Sequence, residues 1–284
     1  MNDTCKAVLE ELKSKREFVL YELLQDKKYL GLEKNVRALN FDIAQAKSKK
    51  KSTKEMEVEL GKAISERNKI IEKKLCKGCR NTGYANEKIC TCVEKEIATR
   101  LHKKSGLIKN TPTTFDIKDG FGDASLKKVY DVLSKYAVAF PNAKRPNIVL
   151  CGATGTGKTY GANILGNVLV SRGVSVIYVT AFSLIERFKE YIFEHNKRAF
   201  HDMIECDLLI IDDLGVEPQI NNITQENLYN LINERLIAHK PFVITTNLSP
   251  EHIFERYDQR IASRIFAVDT TYALEFKGKD LRIK

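Results

Sequence analysis

Gly152, Ala153, Thr154, Gly155, Thr156, Gly157, Lys158 and Thr159 spell G-x-x-x-x-G-K-T, a spacing suited to cradling phosphate. The three glycines free the backbone to turn its N–H groups inward at an anion. Ile148 to Cys151 reads as an apolar strand before the loop, and Tyr160 to Ser171 as a helix after it. That helix directs its N-terminal N–H groups and positive dipole end at the same anion. Lys158 is expected to reach the β- and γ-phosphates, the Thr159 hydroxyl to hold Mg²⁺, and Tyr160 to join the nucleotide contacts at the first helical turn. ATP and Mg²⁺ are the expected ligands. A chance glycine-rich turn is the weaker reading, because strand, loop, lysine, threonine and helix stand in register.

A second constellation supplies acids. Asp207-Leu-Leu-Ile-Ile-Asp-Asp213 is a buried strand pattern ending in two carboxylates. Such a strand delivers its acids to the C-terminal edge of a sheet, beside the phosphate loop. Asp212 fits the Mg²⁺-associated acid, and Asp213 the residue that polarises attacking water. The bland reading, two aspartates capping a turn, is weak beside a phosphate loop. Asp is one methylene shorter than Glu, so water activation is expected to be slow or partner-dependent. Phe242 to Asn247 is another apolar strand, whose terminal Asn247 could orient water or sense the γ-phosphate. Arg256 to Arg264 carries several arginines on a helical pattern. They are surface charges by periodicity, or one is an arginine finger for a neighbour's nucleotide. Arg282 in the tail is a further candidate.

Cys76, Cys79, Cys90 and Cys92 form C-x₂-C and C-x-C with ten residues between the pairs. Two thiolate pairs so close can complete one closed, structural Zn²⁺ site. Free thiols are the alternative; a redox pair is less favoured, since no thioredoxin-like βαβ pattern surrounds it. His102 is a spare donor, read as an exposed helix residue. Cys5, Cys151 and Cys206 stand singly and read as structural.

The elements that must position these groups follow from composition and pattern. The chain has 284 residues, 43% hydrophobic and 30% charged. That is globular composition with room for about two domains, and it excludes collagenous or globally disordered classes. The longest apolar runs fall far below a membrane span, and no basic-then-apolar leader opens the sequence, so a cytoplasmic protein with no membrane partner is expected. A net charge of +10 favours a polyanionic partner such as nucleic acid. Residues 1–75 lack Pro and carry Gly only at Gly31 and Gly61. Val8, Leu12, Val19, Leu23, Val36, Leu39 and Ile43 recur at helical spacing, so two or three helices are expected, with coiled-coil character and breaks at Gly31 and between Ala46 and Thr53. The run Lys47 to Lys51 reads as a solvated loop. A helical linker spans Val93 to Lys104. Thr111 to Phe115 looks like entry into a new domain. Strands are expected at Asn147–Cys151, Ser175–Thr180, Asp207–Ile211, Phe242–Thr246 and Phe266–Asp269, the first four separated by helices. This is an α/β pattern with a parallel sheet covered on both faces. The expected domains are 1–75 (helical, partner-binding), 76–110 (zinc module and linker) and 111–284 (ATPase).

Together, Gly152–Thr159, Asp207–Gly215, Ile244–Pro250 and Arg260–Ile265 resemble the DnaC/DnaI family of replicative helicase loaders within the AAA+ ATPases. The cysteine module just before the ATPase is similar too, and the resemblance covers roughly residues 75–284. It implies a three-layer AAA+ sheet in the order 5-1-4-3-2, Asn247 as sensor 1, Arg264 as arginine finger and Arg282 as sensor 2. It implies an ATP-dependent homo-oligomer that delivers a hexameric replicative DNA helicase onto single-stranded DNA, with ATP hydrolysis driving release. It also places Ser183–Phe200 where such loaders meet single-stranded DNA. Bases could then stack on Phe188 or Tyr191 while Lys189 follows phosphate, the alternative being an ordinary amphipathic helix with both aromatics in the core. Two other functions stay open: an IstB-like transposition helper, and a nucleotide-switched DNA-binding adaptor.

Overall fold

The computed structural model describes residues 3–108, 111–115, 124–278 and 280–281. The chain forms two compact units, Met1–Ile97 and Ala98–Lys284. Among the described residues no helix is long and apolar enough to cross a membrane.

The first unit contains α1 (Asp3–Leu23), α2 (Lys27–Ser48) and α3 (Lys54–Lys74), then a two-stranded antiparallel ribbon, β1 (Tyr84–Ala85) and β2 (Lys88–Ile89). α2 and α3 run antiparallel, clasped by Glu33–Arg67 at 3.0 Å and Lys47–Glu57 at 2.9 Å. Their seam holds Val36, Leu39 and Ala63, while Val19, Leu23, Ile71 and Leu75 join α1 to α3. The expected break at Gly31 is corrected. α2 runs through Gly31, and the chain turns earlier because the Asp26 carboxylate caps the helix, accepting from Lys28 N–H at 2.8 Å and Tyr29 N–H at 3.1 Å. A capping aspartate contributes about 1 kcal/mol, enough to offset the roughly 1 kcal/mol penalty of an interior glycine. The second expected break holds, at residues 49–53.

α4 (Thr91–Ser105) leads into the second unit. There follow α5 (Ala124–Ala139), β3 (Asn147–Gly152), α6 (Lys158–Ser171), β4 (Val176–Thr180), α7 (Ala181–Phe193), α8 (Lys197–Glu205) and β5 (Leu208–Leu214). The rest is α9 (Thr224–Ile237), β6 (Phe242–Thr246), α10 (Pro250–Tyr257), α11 (Gln259–Ile265) and β7 (Thr271–Phe276). The five strands pair in parallel in the order β4-β5-β6-β3-β7. With β3 counted as the first core strand, this is the expected 5-1-4-3-2. Val149, Leu209, Ile211 and Ile244 turn to the layer that also holds Leu184, Phe188, Leu231 and Ile261. The alternate residue Ile210 faces α6 at Gly166. Both faces of β3, β5 and β6 are thus buried, which is why they read as unbroken apolar runs.

The expected fifth strand at Phe266–Asp269 is corrected. Phe266 caps α11, its N–H donating to Ala262 O at 2.9 Å, and Ala267 O then accepts from Thr270 and Thr271 in a turn. The edge strand is Thr271–Phe276, an alternating pattern suited to an edge with one face less covered.

Base stacking on Phe188 is corrected as well. Ala181, Leu184, Ile185 and Phe188 form the buried stripe of α7, with Phe188 fully buried. Tyr191 is half-buried and stacks on Phe200 at 4.6 Å. Half-buried Lys189 pairs with Glu186 at 2.9 Å. We expect Phe188→Ala to cost about 3–5 kcal/mol of stability in denaturant unfolding, the range for a core phenylalanine, and to leave single-stranded DNA affinity unchanged in a filter-binding assay.

Candidate functional site

The phosphate loop is shaped by two special backbone positions. Gly157 caps α6 in the left-handed region at φ 96°, a conformation that other residues enter at a cost. Gly152 has φ 146°, and a Cβ there would fall on the Phe276 carbonyl oxygen of the neighbouring strand. Lys158, the first residue of α6, is buried, and its ammonium donates to Gly152 O at 2.8 Å and Ala153 O at 2.7 Å. The Thr156 hydroxyl donates to Ala153 O at 2.8 Å and pins the turn.

Across the sheet edge stand the acids. Asp212, only 3% exposed, lies on β5. Its Oδ1 accepts from Thr159 Oγ1 at 3.1 Å and Thr245 Oγ1 at 2.6 Å, and its Oδ2 from Tyr178 Oη at 2.6 Å. Burial first, then the Asp212 charge, push the Tyr178 hydroxyl well above the usual tyrosine range. Asp213 follows on a β-bulge: Ile211 pairs with Ile244 but Leu214 with Thr246, so β5 carries one extra residue there. Asp213 takes that extra position at φ 56°, and its N–H donates to Thr245 Oγ1 at 2.8 Å. The bulge puts two consecutive acids on the same side of the edge, where plain alternation would send them to opposite faces.

A cleft of about 630 Å³ is lined by Thr154, Gly155, Gly157, Lys158, Thr159, Tyr160, Asp212, Asp213 and Asn247, together with Ile108 and Leu281. The structure therefore brings the loop, both acids and Asn247 to one place. Its donor set fits a nucleoside polyphosphate with Mg²⁺: a buried ammonium, a helix N-terminus, a hydroxyl and a carboxylate converge. Ile108 and Leu281 are additions that sequence reasoning missed. Ile108 is held by its N–H to Asn163 Oδ1 at 3.0 Å, and Leu281 N–H donates to Gly155 O at 3.0 Å. The signal for the first was available: Asn163 and Asn167, four apart, are polar residues in an apolar helix. His102, expected to be exposed, instead lies 2.9 Å from Asn167 Oδ1 through its Nε2 and is half-buried.

Arg264 is not among the residues lining this cleft. Its guanidinium donates to Asn233 Oδ1 at 3.1 Å and Tyr229 Oη at 2.9 Å, and lies 4.5 Å above the Tyr229 ring. Arg260 packs on the same ring at 5.1 Å. Arg282 lies outside the described residues.

In the first unit the four expected cysteines meet. The Sγ atoms of Cys76, Cys79, Cys90 and Cys92 all lie within 4.8 Å of one another, with Cys76–Cys90 at 3.9 Å and Cys79–Cys92 at 3.5 Å. Zn–S bonds of about 2.3 Å at a tetrahedral angle put sulfurs about 3.8 Å apart, so the cage is compatible with Zn²⁺. Backbone N–H groups of Cys79 and Gly78 pull the Cys76 thiol down to about 7, whereas burial pushes Cys79 and Cys92 up. Buried Asn81 supports the knuckle, accepting the Cys76 N–H at 2.9 Å.

The model of the family described as IstB-like ATP binding protein aligns with residues 113–279. The chromosomal replication initiator protein DnaA of Wolinella succinogenes is 35% identical over 121 residues, 41% of this chain, and the chain spans 26% of that protein. The replicative helicase loader DnaC of Buchnera aphidicola is 26% identical over 145 residues, 49% of this chain and 57% of that one. The crystal structure of the DnaC helicase loader superposes with a TM-score of 0.52 at 19% identity, covering 63% of this chain and 99% of that one, which shows a shared AAA+ fold. With the family model spanning more than half of its length and the phosphate loop intact, the chain belongs to the IstB-like ATP-binding protein family.

Proposed function

We propose that this protein is a Mg²⁺-dependent ATPase that delivers a hexameric replicative helicase onto single-stranded DNA. The observation that carries the ATPase part is the convergence of Lys158, Thr159, Asp212, Asp213 and Asn247 on one cleft. Lys158 and the N-terminus of α6 bind the β- and γ-phosphates; Thr159 and Asp212 hold Mg²⁺, which supplies the charge that stabilises the transferred phosphoryl group. Asp213 accepts a proton from attacking water, and Asn247 orients that water. Arg264 acts across a subunit boundary, giving up Tyr229 and Asn233 to reach a neighbour's nucleotide. Assembly then depends on ATP, and hydrolysis releases the partner. Basal turnover is weak, because Arg264 does not line the cleft of its own chain. The three-helix first unit is the helicase-binding arm, and the cysteine cage, closed by four thiolates around Zn²⁺, shapes it.

The family model itself favours a second reading, a transposition helper of the IstB kind. The helical unit and the cysteine cage argue for the loader, since both suit docking to a dedicated protein partner. Size-exclusion chromatography with light scattering separates the two. The full chain is mixed with the replicative helicase of its host, with and without ATP·Mg²⁺ and single-stranded DNA. A complex that changes with nucleotide is expected. ATP-dependent self-assembly on DNA with no helicase complex would favour the transposition helper.

A further inference from the structure

The Asp212 carboxylate is held from both sides by hydroxyls that no phosphate-loop motif contains. Tyr178 and Thr245 sit on the two strands that flank β5, and each donates to a different oxygen at 2.6 Å. Thr180 is the register partner of Asp212, and Tyr178 lies two residues earlier on the same face, so the length of the phenol carries its hydroxyl along the strand to Oδ2. Thr245 also accepts the Asp213 N–H, so one side chain ties both acids to β6. A carboxylate has about four lone-pair sites. Tyr178 and Thr245 take one on each oxygen and thereby stop rotation about the Cβ–Cγ bond.

We propose that Tyr178 and Thr245 are positioning residues that orient the Asp212 carboxylate for Mg²⁺. The proposal rests on the reading of Asp212 as the Mg²⁺-associated acid. The test is the binding of a fluorescent ATP analogue to the full chain, in EDTA and across a Mg²⁺ titration. Tyr178→Phe removes the hydroxyl, and Thr245→Val replaces it with a methyl group that also cannot accept the Asp213 N–H. Each is expected to raise the Mg²⁺ midpoint about tenfold, at the low end of the loss seen when a metal ligand loses its supporting hydrogen bond, and to leave affinity in EDTA unchanged. Thr245→Ser keeps the hydroxyl and is expected to keep the wild-type midpoint. Asp212→Asn separates the two levels. If it removes the Mg²⁺ response while Tyr178→Phe and Thr245→Val titrate as wild type, the positioning role is overturned and the Asp212 reading stands. If Asp212→Asn leaves the Mg²⁺ response intact, both are overturned. Should Thr245→Val fail to fold, Tyr178→Phe alone decides, since its ring is preserved.

Discussion

Lys158→Ala is expected to weaken binding of a fluorescent ATP analogue by about 100-fold or more. The ammonium is buried inside the loop, where its two carbonyl contacts place it at the centre of the phosphate cradle. A hydrogen bond from a charged donor contributes about 1.5–3 kcal/mol, and Lys158 is positioned to make two to phosphate, so a loss of about 3 kcal/mol or more follows. The melting temperature without nucleotide is measured alongside, so that a folding defect is told apart from lost phosphate binding. A contrasting variant isolates chemistry from binding. Asp213→Asn removes the carboxylate without new backbone strain, since Asn accepts the left-handed conformation as readily as Asp. Nucleotide affinity should persist while phosphate release falls about 10²–10⁴-fold, the usual contribution of a general base. Unchanged turnover in Asp213→Asn would remove it from the water-activating role.

The second large effect concerns the cysteine cage. The protein purified from zinc-replete cells is expected to carry one Zn²⁺ per chain by atomic emission, with the four thiols shielded from a thiol reagent until a mercurial releases the metal. Cys90→Ser is expected to abolish zinc retention and to unfold residues 76–92. The effect is large because residues 76–92 carry little regular structure. Their only strands, β1 and β2, are two residues each. Apparent binding energies of about 10–16 kcal/mol for small zinc modules exceed anything so small an apolar core supplies. Nucleotide binding by the second unit should survive, since that unit has its own core. Zinc affinity should fall as pH falls, because protons compete for the thiolates. Retention of zinc by Cys90→Ser at wild-type stoichiometry would show that the cage is not the metal site.

Most of the candidate site is legible in the sequence, for a definite reason. The phosphate loop and the Cys76–Cys92 cage are set by short-range spacing, and short-range spacing is visible in one dimension. β3, β5 and β6 were equally visible, because strands buried on both faces appear as unbroken apolar runs. The strand order followed from family resemblance and not from the pattern itself. The edge strand was misplaced, since β7 alternates and its apolar start at Phe266 belongs to the end of α11. In the sequence Phe188 suits either a nucleic-acid base or the core, and only the packing of its helical stripe against β4 and β5 assigns it to the core.

What one dimension determined, then, is which groups exist for the chemistry: a lysine and glycines at phosphate-loop spacing, paired acids at a strand end, and four thiols at ligand spacing. What only the tertiary structure decided is how those groups are held. The bulge that turns Asp213 toward the cleft is a mismatch between β5 and β6 and has no signature within either strand. Tyr178 and Thr245 meet Asp212 across 34 and 33 residues of chain. Such encounters depend on lateral strand register, which is fixed by the packing of the whole sheet and not by any local run of residues.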